Sequence, residues 1–345
     1  MANRKPTSLD IAYRAGVSQA TVSRALRDSP LVNIDTRKRI QEIAEELNYQ
    51  VDRSASSLRS GLTRTLALLI FEDAPDAACP INPFFLNMLG SITRECSARD
   101  YDLLVSMQNP EEDWYARYEE AHRADGLILL GYGDYVDSHP TLARLCENGA
   151  HWVLWGPRLE FDDASYVGCD NHLGGYQATQ HLLDLGRRRF AFIGSNAREQ
   201  APEFADRFSG FSQALEDAAI DPKARTQVFA ESNEASGRLA VQALADQGFE
   251  ADALVCASDL IALGALHELE ERSVNVPRDV SVMGFDDIEA ASFCNPPLST
   301  MRQDVTLAGA TLVDLLLQQL ETGSYESRVM EPKLIVRTSC GASAS

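Results

Sequence analysis

The amino-acid sequence predicts two unlike parts, a small all-α head and a larger α/β body with two lobes. In the head, apolar residues recur at helical spacing, whereas from residue 65 short apolar runs alternate with amphipathic segments. The length of 345 residues exceeds what one core usually holds but suits a small domain followed by a two-lobed one. We therefore expect a head at 1–50, a hinge at 51–64 and a body at 65–345.

Two short helices are predicted at the start of the head. Thr7 and Asp10 fit a capping box, in which a hydroxyl and a carboxylate three residues later satisfy free backbone amides. Gly16 can adopt the left-handed backbone that ends a helix. Ser18 is a good N-cap for a second helix that reaches about Leu26. Two such helices joined by a glycine-containing turn form a helix-turn-helix unit.

A third helix is predicted to follow Asn33. It would run to about Leu47 and pack on the first two helices, because Ile40, Ile43 and Ala44 lie with Leu47 on one helical face. The head is therefore expected to be a compact three-helix unit.

The second helix carries residue types that suit contact with DNA. A helix-turn-helix unit directs side chains near the start of that helix into the major groove. Glutamine can pair with adenine, arginine with guanine, and an alanine methyl can contact thymine. Those side chains are Gln19, Ala20, Ser23 and Arg24, while Ser18 and Thr21 would contact phosphates. The alternative is an ordinary solvated face on a small helical domain.

The charge distribution agrees with a DNA-contacting head. The whole chain has a net charge of −20, which taken alone argues against nucleic acid. Residues 1–64, however, contain 11 Lys and Arg against 7 Asp and Glu, and the remainder contains 20 against 44. A basic head on an acidic body lets one end approach phosphates while the rest is repelled.

The segment from Gly16 to Leu26, GVSQATVSRAL, closely resembles the head of LacI/GalR-family repressors. The family pattern G-V-S-x-A-T-V-S-R is matched at every fixed position, and Asp35-Thr36-Arg37 and Glu46-Leu47-Asn48-Tyr49 extend the match. The resemblance implies a transcriptional repressor that binds near-palindromic double-stranded operator DNA as a homodimer. The expected DNA-contacting residues are Thr7, Ser18, Gln19, Ala20, Thr21, Ser23, Arg24, Asn33, Tyr49, Ala55 and Leu58.

Residues 50–64 have the polar, basic composition of a linker that folds only with a partner. The family resemblance implies a short helix on DNA, with Leu58 wedged between base pairs of the minor groove and Ala55 at a close helix contact. The chain departs from the usual family residues at Val51, Asp52 and Ser56. A plain tether is the alternative for this segment.

The body is predicted to contain parallel sheets covered on both faces, because near-continuous apolar strands alternate with helices. About ten strands in this length favour two Rossmann-like sheets over one. The expected N-lobe is about 65–170 plus 305–325, and the C-lobe about 171–304 plus 326–345. Candidate strands are Leu66–Phe71, Leu103–Val105, Leu127–Leu130, Trp152–Leu154, Phe190–Ile193, Val228–Phe229, Leu254–Cys256 and Val280–Phe285. Ligands of such sheets bind at the carboxyl ends of strands, here in the cleft between lobes.

The body also resembles the periplasmic-binding-protein-like sensor of the LacI/GalR family. The resemblance is carried by Asn82-Pro83-Phe84-Phe85, Asp170-Asn171, Arg207-Phe208-Ser209-Gly210-Phe211, Ser258-Asp259 and Gly284-Phe285-Asp286-Asp287. It implies that residues of these motifs line an effector cleft. The expected effector-binding residues are Phe84, Phe85, Asp170, Arg207, Asp259 and Asp286, whereas Trp152 and Trp155 are expected to pack in the core.

Three carboxylates, one guanidinium and two aromatic rings suit a mono- or oligosaccharide effector. A nucleobase, a nucleoside or another small metabolite is the alternative, since aromatic rings also stack on bases.

The seven cysteines never form C-x-x-C and the histidines lack metal-ligand spacing, so neither a metal nor a cofactor is expected. An enzyme is not expected, because Gly210-Phe211-Ser212 lacks the final glycine of a nucleophile elbow. Without an apolar leader or membrane span, we expect a cytoplasmic, nucleoid-associated protein.

Overall fold

The computed structural model describes residues 6–26, 28–49, 62–71, 81–108, 113–131, 135–158, 161, 164–248 and 250–342. The chain divides into two compact units, Met1–Thr63 and Arg64–Ser345. Among the described helices, none is both long and apolar enough to cross a bilayer.

The first unit contains the three predicted helices, α1 (Ser8–Ala15), α2 (Gln19–Ala25) and α3 (Ile34–Glu46). Gly16 ends α1 with a φ of 64°, in the left-handed region that favours glycine. The side chains of Ile11, Val22 and Ile40 are fully buried, one from each helix, and form the centre of the unit's core. The prediction that the head is a three-helix unit is confirmed.

The second unit has two six-stranded sheets, one in each lobe. The N-lobe sheet has the strand order β11-β5-β4-β3-β1-β2. Its elements are β1 (Thr65–Ile70), α4 (Pro83–Ala98), β2 (Asp102–Met107), a π-helical turn (Ala116–Glu120), β3 (Gly126–Leu130), α5 (Tyr135–Glu147), β4 (Trp152–Trp155) and β5 (Ser165–Cys169). Strands β1, β3 and β4 are almost entirely buried, as expected of parallel strands covered on both faces.

The C-lobe sheet has the order β12-β10-β9-β8-β6-β7 and is parallel except for the β10–β12 pair. Its elements are α6 (Asn171–Asp184), β6 (Phe190–Ile193), α7 (Pro202–Asp217), a 3-10 turn (Pro222–Ala224), β7 (Arg225–Val228), α8 (Glu234–Asp246), β8 (Ala253–Cys256), α9 (Asp259–Glu271), β9 (Ser281–Asp286), α10 (Ala290–Phe293) and β10 (Ser299–Arg302). After α11 (Val305–Thr322) and β11 (Arg328–Met330), the chain ends in β12 (Lys333–Ile335) and a 3-10 turn (Thr338–Cys340).

Within the described residues, the chain crosses between the lobes three times, at residue 170, at 303–304 and at 331–332. Helix α11 packs on α4 and on three strands of the N-lobe. Strand β11 pairs with β5, so 328–330 belong to the N-lobe sheet and not to the C-lobe as expected. The third crossing therefore lies about five residues later than the sequence suggested, because β11 is short and too exposed to form an apolar run.

Strand β7 spans Arg225–Val228, whereas the sequence predicted a strand at Val228–Phe229. It is the last strand of its sheet and is only half-buried along its length. Polar residues are therefore tolerated on this strand. Of its four residues only the last, Val228, is apolar, so a search for apolar runs placed the strand too late.

Helices α6 and α7 approach so closely that their backbones touch at glycines. A Cβ on Gly175 would overlap the carbonyl oxygen of Arg207, and a Cβ on Gly210 would overlap that of His172. This contact fixes the distance between the two helices that carry Asn171 and Arg207. A substitution at either glycine must therefore separate the helices.

We expect Gly210→Ala to lower the free energy of unfolding by about 1–3 kcal/mol, the usual effect of overpacking a tight contact. Urea denaturation of the purified chain measures it. Gly90→Ala is the matched control, since Gly90 lies within α4 and a Cβ there would meet nothing within 4 Å. That variant should gain roughly 0.5–1 kcal/mol from helix propensity. Equal effects at the two positions would contradict the packing argument.

Candidate functional site

The start of α2 presents an exposed polar surface on the head. Gln19, Ala20 and Arg24 are exposed, while Val22 and Ala25 of the same helix are fully buried. The Gln19 amide Nε2 donates to the Ser8 hydroxyl at 2.9 Å, which holds Gln19 across the turn from α1. Three of the four predicted base-contacting side chains are therefore exposed on the surface of the head, and the fourth, Ser23, is half-buried.

Several of the predicted DNA-contacting residues also cap the helices of the head. The Ser18 hydroxyl oxygen caps α2 by accepting from the Thr21 amide at 3.2 Å. The Asn33 side chain caps α3 by accepting from the Asp35 amide at 2.9 Å. The carboxylate of Asp10 accepts from the Thr7 amide at 2.7 Å, as the capping-box pattern predicted. These caps fix the backbone at the N-termini, where amides and the helix dipole favour anions.

Of three further predicted DNA-contacting residues, Tyr49, Ala55 and Leu58, the structure describes Tyr49. Tyr49 is half-buried and packs against the apolar core of the head. Ala55 and Leu58 of the predicted hinge lie outside the described residues, as do Val51, Asp52 and Ser56.

In the second unit, a cavity of about 170 Å³ lies at the carboxyl ends of the strands, between the two lobes. This is the position at which parallel sheets bind ligands. We call it the inner cavity. It is lined by Phe71, Asn82, Phe84, Phe85, Gly131, Trp155, Gly156, Cys169 and Asn171, and by Gln200, Ala201, Glu203, Phe204, Arg207, Ser232, Asp286 and Gln303.

The N-lobe side of the inner cavity is aromatic. The ring of Phe84 lies 5.6 Å from that of Phe85 and 5.8 Å from that of Trp155, centre to centre. Trp155 was expected to be a packing residue, but it ends β4 and lines the cavity. Together the rings provide flat apolar surface on which the face of a ligand ring can stack.

Arg207 is the buried cation of the C-lobe side, with 5% of its surface exposed. Its Nε donates to Asn171 Oδ1 at 2.8 Å and its Nη1 to the carbonyl oxygen of Ala257. The guanidinium also lies 3.7 Å from the centre of the Phe285 ring. These contacts fix the guanidinium, and Nη2 has no hydrogen-bond partner among the described residues.

Asp286 ends β9 and faces the crossing between the lobes. Its Oδ1 accepts from Gln303 Nε2 at 2.7 Å, and its φ of 117° is a strained value for a residue with a side chain. Burial raises the pKa of Asp286 to about 6, although Arg207 and the Gln303 hydrogen bond act in the opposite direction. A strained, buried carboxylate that borders a cavity is typical of a functional site.

Two predicted effector carboxylates lie elsewhere, and the prediction is corrected for them. Asp170 is half-buried and caps α6 by accepting from the Leu173 amide at 2.9 Å. Asp259 is fully buried, and its two oxygens accept from the Thr300 hydroxyl at 2.6 Å and the Ile288 amide at 2.9 Å. Burial and the nearby Asp286 raise the pKa of Asp259 well above its ordinary value. Neither residue lines the inner cavity.

Several lining residues are not among the six predicted effector-binding residues, although Asn171 belongs to one of the motifs from which they were drawn. Asn171, Trp155 and Gln303 each end or closely follow a parallel strand, so strand position was the available signal. Gln200 lies just before the start of α7, and Glu203 lies in its first turn. Among the described elements no strand directly precedes these two residues, so strand position could not have predicted them. Among the described residues, no group of three or more His, Cys, Asp or Glu side chains is arranged to hold a metal ion.

Comparison with known proteins gives two family matches. Residues 7–52 match the family of bacterial regulatory proteins called lacI, and residues 179–340 match a periplasmic binding protein-like domain. The ribose operon repressor of Haemophilus influenzae is 30% identical over 339 residues, which cover 96% of this chain and 98% of that protein.

Solved structures of regulators have the same fold. A complex of the transcriptional regulator CelR with cellobiose has a TM-score of 0.71 and 30% identity, covering 97% of this chain and 99% of that one. A lac repressor dimer bound to operator and the anti-inducer ONPF has a TM-score of 0.81 and 25% identity, covering 98% and 100%.

The raised pKa of Asp286 predicts a pH-dependent difference in stability. Its folded-state pKa of about 6 lies above the ordinary value of roughly 3.9, so the stabilising contribution grows as the pH falls through 6 and is lost as it rises. Relative to Asp286→Asn, the native chain should gain about 1 kcal/mol between pH 7 and pH 5. Urea unfolding at both pH values measures this. A constant difference would place the pKa outside that interval.

Proposed function

Because the chain belongs to the LacI family of bacterial regulatory proteins, we propose that it represses transcription under the control of a neutral carbohydrate. The head binds operator DNA, and the inner cavity binds the effector. The family is one of regulators and not of enzymes. A protein that binds operator DNA acts where the chromosome lies, so we assign it to the cytoplasm, with the nucleoid.

The exposed start of α2 supports the DNA-binding part of the proposal. Gln19, Ala20 and Arg24 offer an amide, a methyl and a guanidinium in positions that suit base edges in the major groove. The caps at Ser18 and Asn33 leave two helix N-termini available for phosphates. Similarity to the ribose operon repressor of Haemophilus influenzae, at 30% identity over 96% of this chain, supports the same conclusion.

The arrangement of the inner cavity is the observation that supports a carbohydrate as the effector. One side has the rings of Phe84, Phe85 and Trp155, which suit the apolar face of a pyranose. The other has Asp286 and the amides of Asn171 and Gln303, which suit hydroxyl groups. An anion is disfavoured because, among the described residues that line the cavity, the carboxylates of Asp286 and Glu203 outnumber the single guanidinium of Arg207.

A nucleobase effector is the second candidate, favoured by the five aromatic side chains that line the inner cavity. A base needs few hydrogen bonds beyond those in its plane, whereas the cavity offers carboxylates, amides and a hydroxyl on its polar side. Competition between sugars and purine bases for the same cavity distinguishes the two.

We also propose that the chain acts as a homodimer, as in the lac repressor dimer bound to operator. Strand β2 is the outermost strand of its sheet and exposes Val105 and Met107 at 45% and 36%. An exposed apolar edge strand is an unusual surface for a monomer. Effector binding would then alter DNA affinity through a coupling free energy between the two sites, and the coupling is reciprocal.

We expect Arg24→Ala to weaken operator binding by about tenfold or more, because a bidentate contact to guanine contributes about 1–3 kcal/mol. Fluorescence anisotropy with operator DNA selected from a random pool measures the affinity. Arg278→Ala is the matched control, since Arg278 is an exposed arginine of the C-lobe that forms an ion pair with its neighbour Asp279. Equal affinity of the two variants would show that α2 does not contact bases through Arg24.

We expect a neutral sugar to raise the melting temperature of the chain, since a ligand at 100 times its Kd stabilises by about 2.7 kcal/mol. Asp286→Asn should reduce that shift by removing the charged acceptor of the inner cavity. Asp246→Asn, an exposed aspartate at the end of α8, is the control. A shift produced by purine bases and by no sugar would favour the second candidate.

A further inference from the structure

A second cavity of about 350 Å³ adjoins the inner one. We call it the outer cavity. Both cavities are lined by Phe84, Asp286 and Gln303. The outer cavity is lined in addition by Asn87, Asp287, Ile288, Arg302, Asp304, Val305 and Thr306. The two spaces therefore meet at one ring, one carboxylate and one amide.

We propose that the effector is an oligosaccharide of at least two rings, with one ring in the inner cavity and the next in the outer cavity. This inference rests on the carbohydrate effector proposed above and names its class. Its basis is the shared wall, the size of each space and the chemistry of the outer lining.

The shared wall offers hydrogen-bond acceptors to a ligand that passes it. Asp286 is only 8% exposed and Gln303 6%, and they are joined by the bond from Gln303 Nε2 to Asp286 Oδ1. That bond leaves Asp286 Oδ2 and Gln303 Oε1 without a donor among the described residues. Two unengaged acceptors at a junction suit hydroxyl groups of a ligand that extends through it.

The inner cavity is too small for two rings. A water molecule needs at least about 10–15 Å³ of such space, so 170 Å³ accommodates at most roughly a dozen groups of that size. That is close to the number of non-hydrogen atoms in one hexose. The outer cavity, at 350 Å³, has room for a second ring and for water.

The two carboxylates that line only the outer cavity, Asp287 and Asp304, both have partners within the protein. Asp287 accepts from Arg302 Nε at 2.5 Å and from Arg337 Nη2 at 2.6 Å, so both of its oxygens are occupied. Asp304 caps α11 by accepting from the amides of Thr306 and Leu307. Two arginines therefore neutralise Asp287, and backbone amides solvate Asp304.

The groups left for a ligand are those that bind hydroxyls. The side chains of Asn87 and Thr306 are exposed and have no hydrogen-bond partner among the described residues. Only Nε of the Arg302 guanidinium is engaged there. Ile288 and Val305 add apolar surface beside the Phe84 ring. A neutral sugar ring has the hydroxyls and the apolar face that this mixture suits.

The test is calorimetric titration of the full chain with matched pairs of sugars: glucose and cellobiose, xylose and xylobiose, galactose and lactose. For one pair, the disaccharide is expected to bind at least about tenfold more tightly than the monosaccharide. Asn87→Phe, which fills the outer cavity, should bring that ratio close to one. Asn87→Ala should lower it by about two- to tenfold through loss of one hydrogen bond.

Asn148→Ala, at an exposed asparagine after α5, is the matched control and should leave the ratio unchanged. Equal affinities within every pair, or a ratio that Asn87→Phe does not move, would overturn the two-ring proposal while leaving a carbohydrate effector intact. Binding of purine bases with no binding of any sugar would overturn both proposals.

Discussion

The burial of one guanidinium constrains much of the C-lobe. A charge taken out of water must be matched by fixed partners, and Arg207 has them in Asn171, the Ala257 carbonyl oxygen and the Phe285 ring. These partners belong to or adjoin α6, β8 and β9, so one side chain joins three elements. The glycine contact at Gly175 is needed for the same reason, because it lets α6 lie directly on the backbone of Arg207. The positive charge also restrains the pKa of Asp286.

The two lobes contribute different chemistry to the inner cavity. The N-lobe supplies mainly rings, and the C-lobe supplies the charged groups and much of the hydrogen bonding. A ligand with one apolar face and one polar edge satisfies both sides only when both lobes contact it. This requirement gives a physical reason for a ligand to change the relative populations of lobe arrangements, since a ligand shifts an equilibrium only by its differential affinity for the states.

Periodic patterns made the head and the sheets predictable. The three head helices have apolar faces at regular spacing, and the buried parallel strands form short apolar runs. Edge strands such as β7 and β11 were misplaced because partial burial removes that signal. Four of the six predicted effector residues, Phe84, Phe85, Arg207 and Asp286, line the inner cavity, but a motif at a strand end does not reveal side-chain direction. Asp286 borders the cavity, while the buried carboxylate of Asp259 accepts hydrogen bonds from the Ile288 amide and the Thr300 hydroxyl.

The three crossings between the lobes are each only one or two residues long. Links this short transmit position almost rigidly, so relative motion of the lobes reduces to very few coordinates, close to a single angle. Gln303 lies in the middle link and also borders both cavities. Chemically different ligands would therefore all act by changing the same angle between the two lobes. Changes in the cavity lining can alter which molecule is sensed without altering how its presence is transmitted.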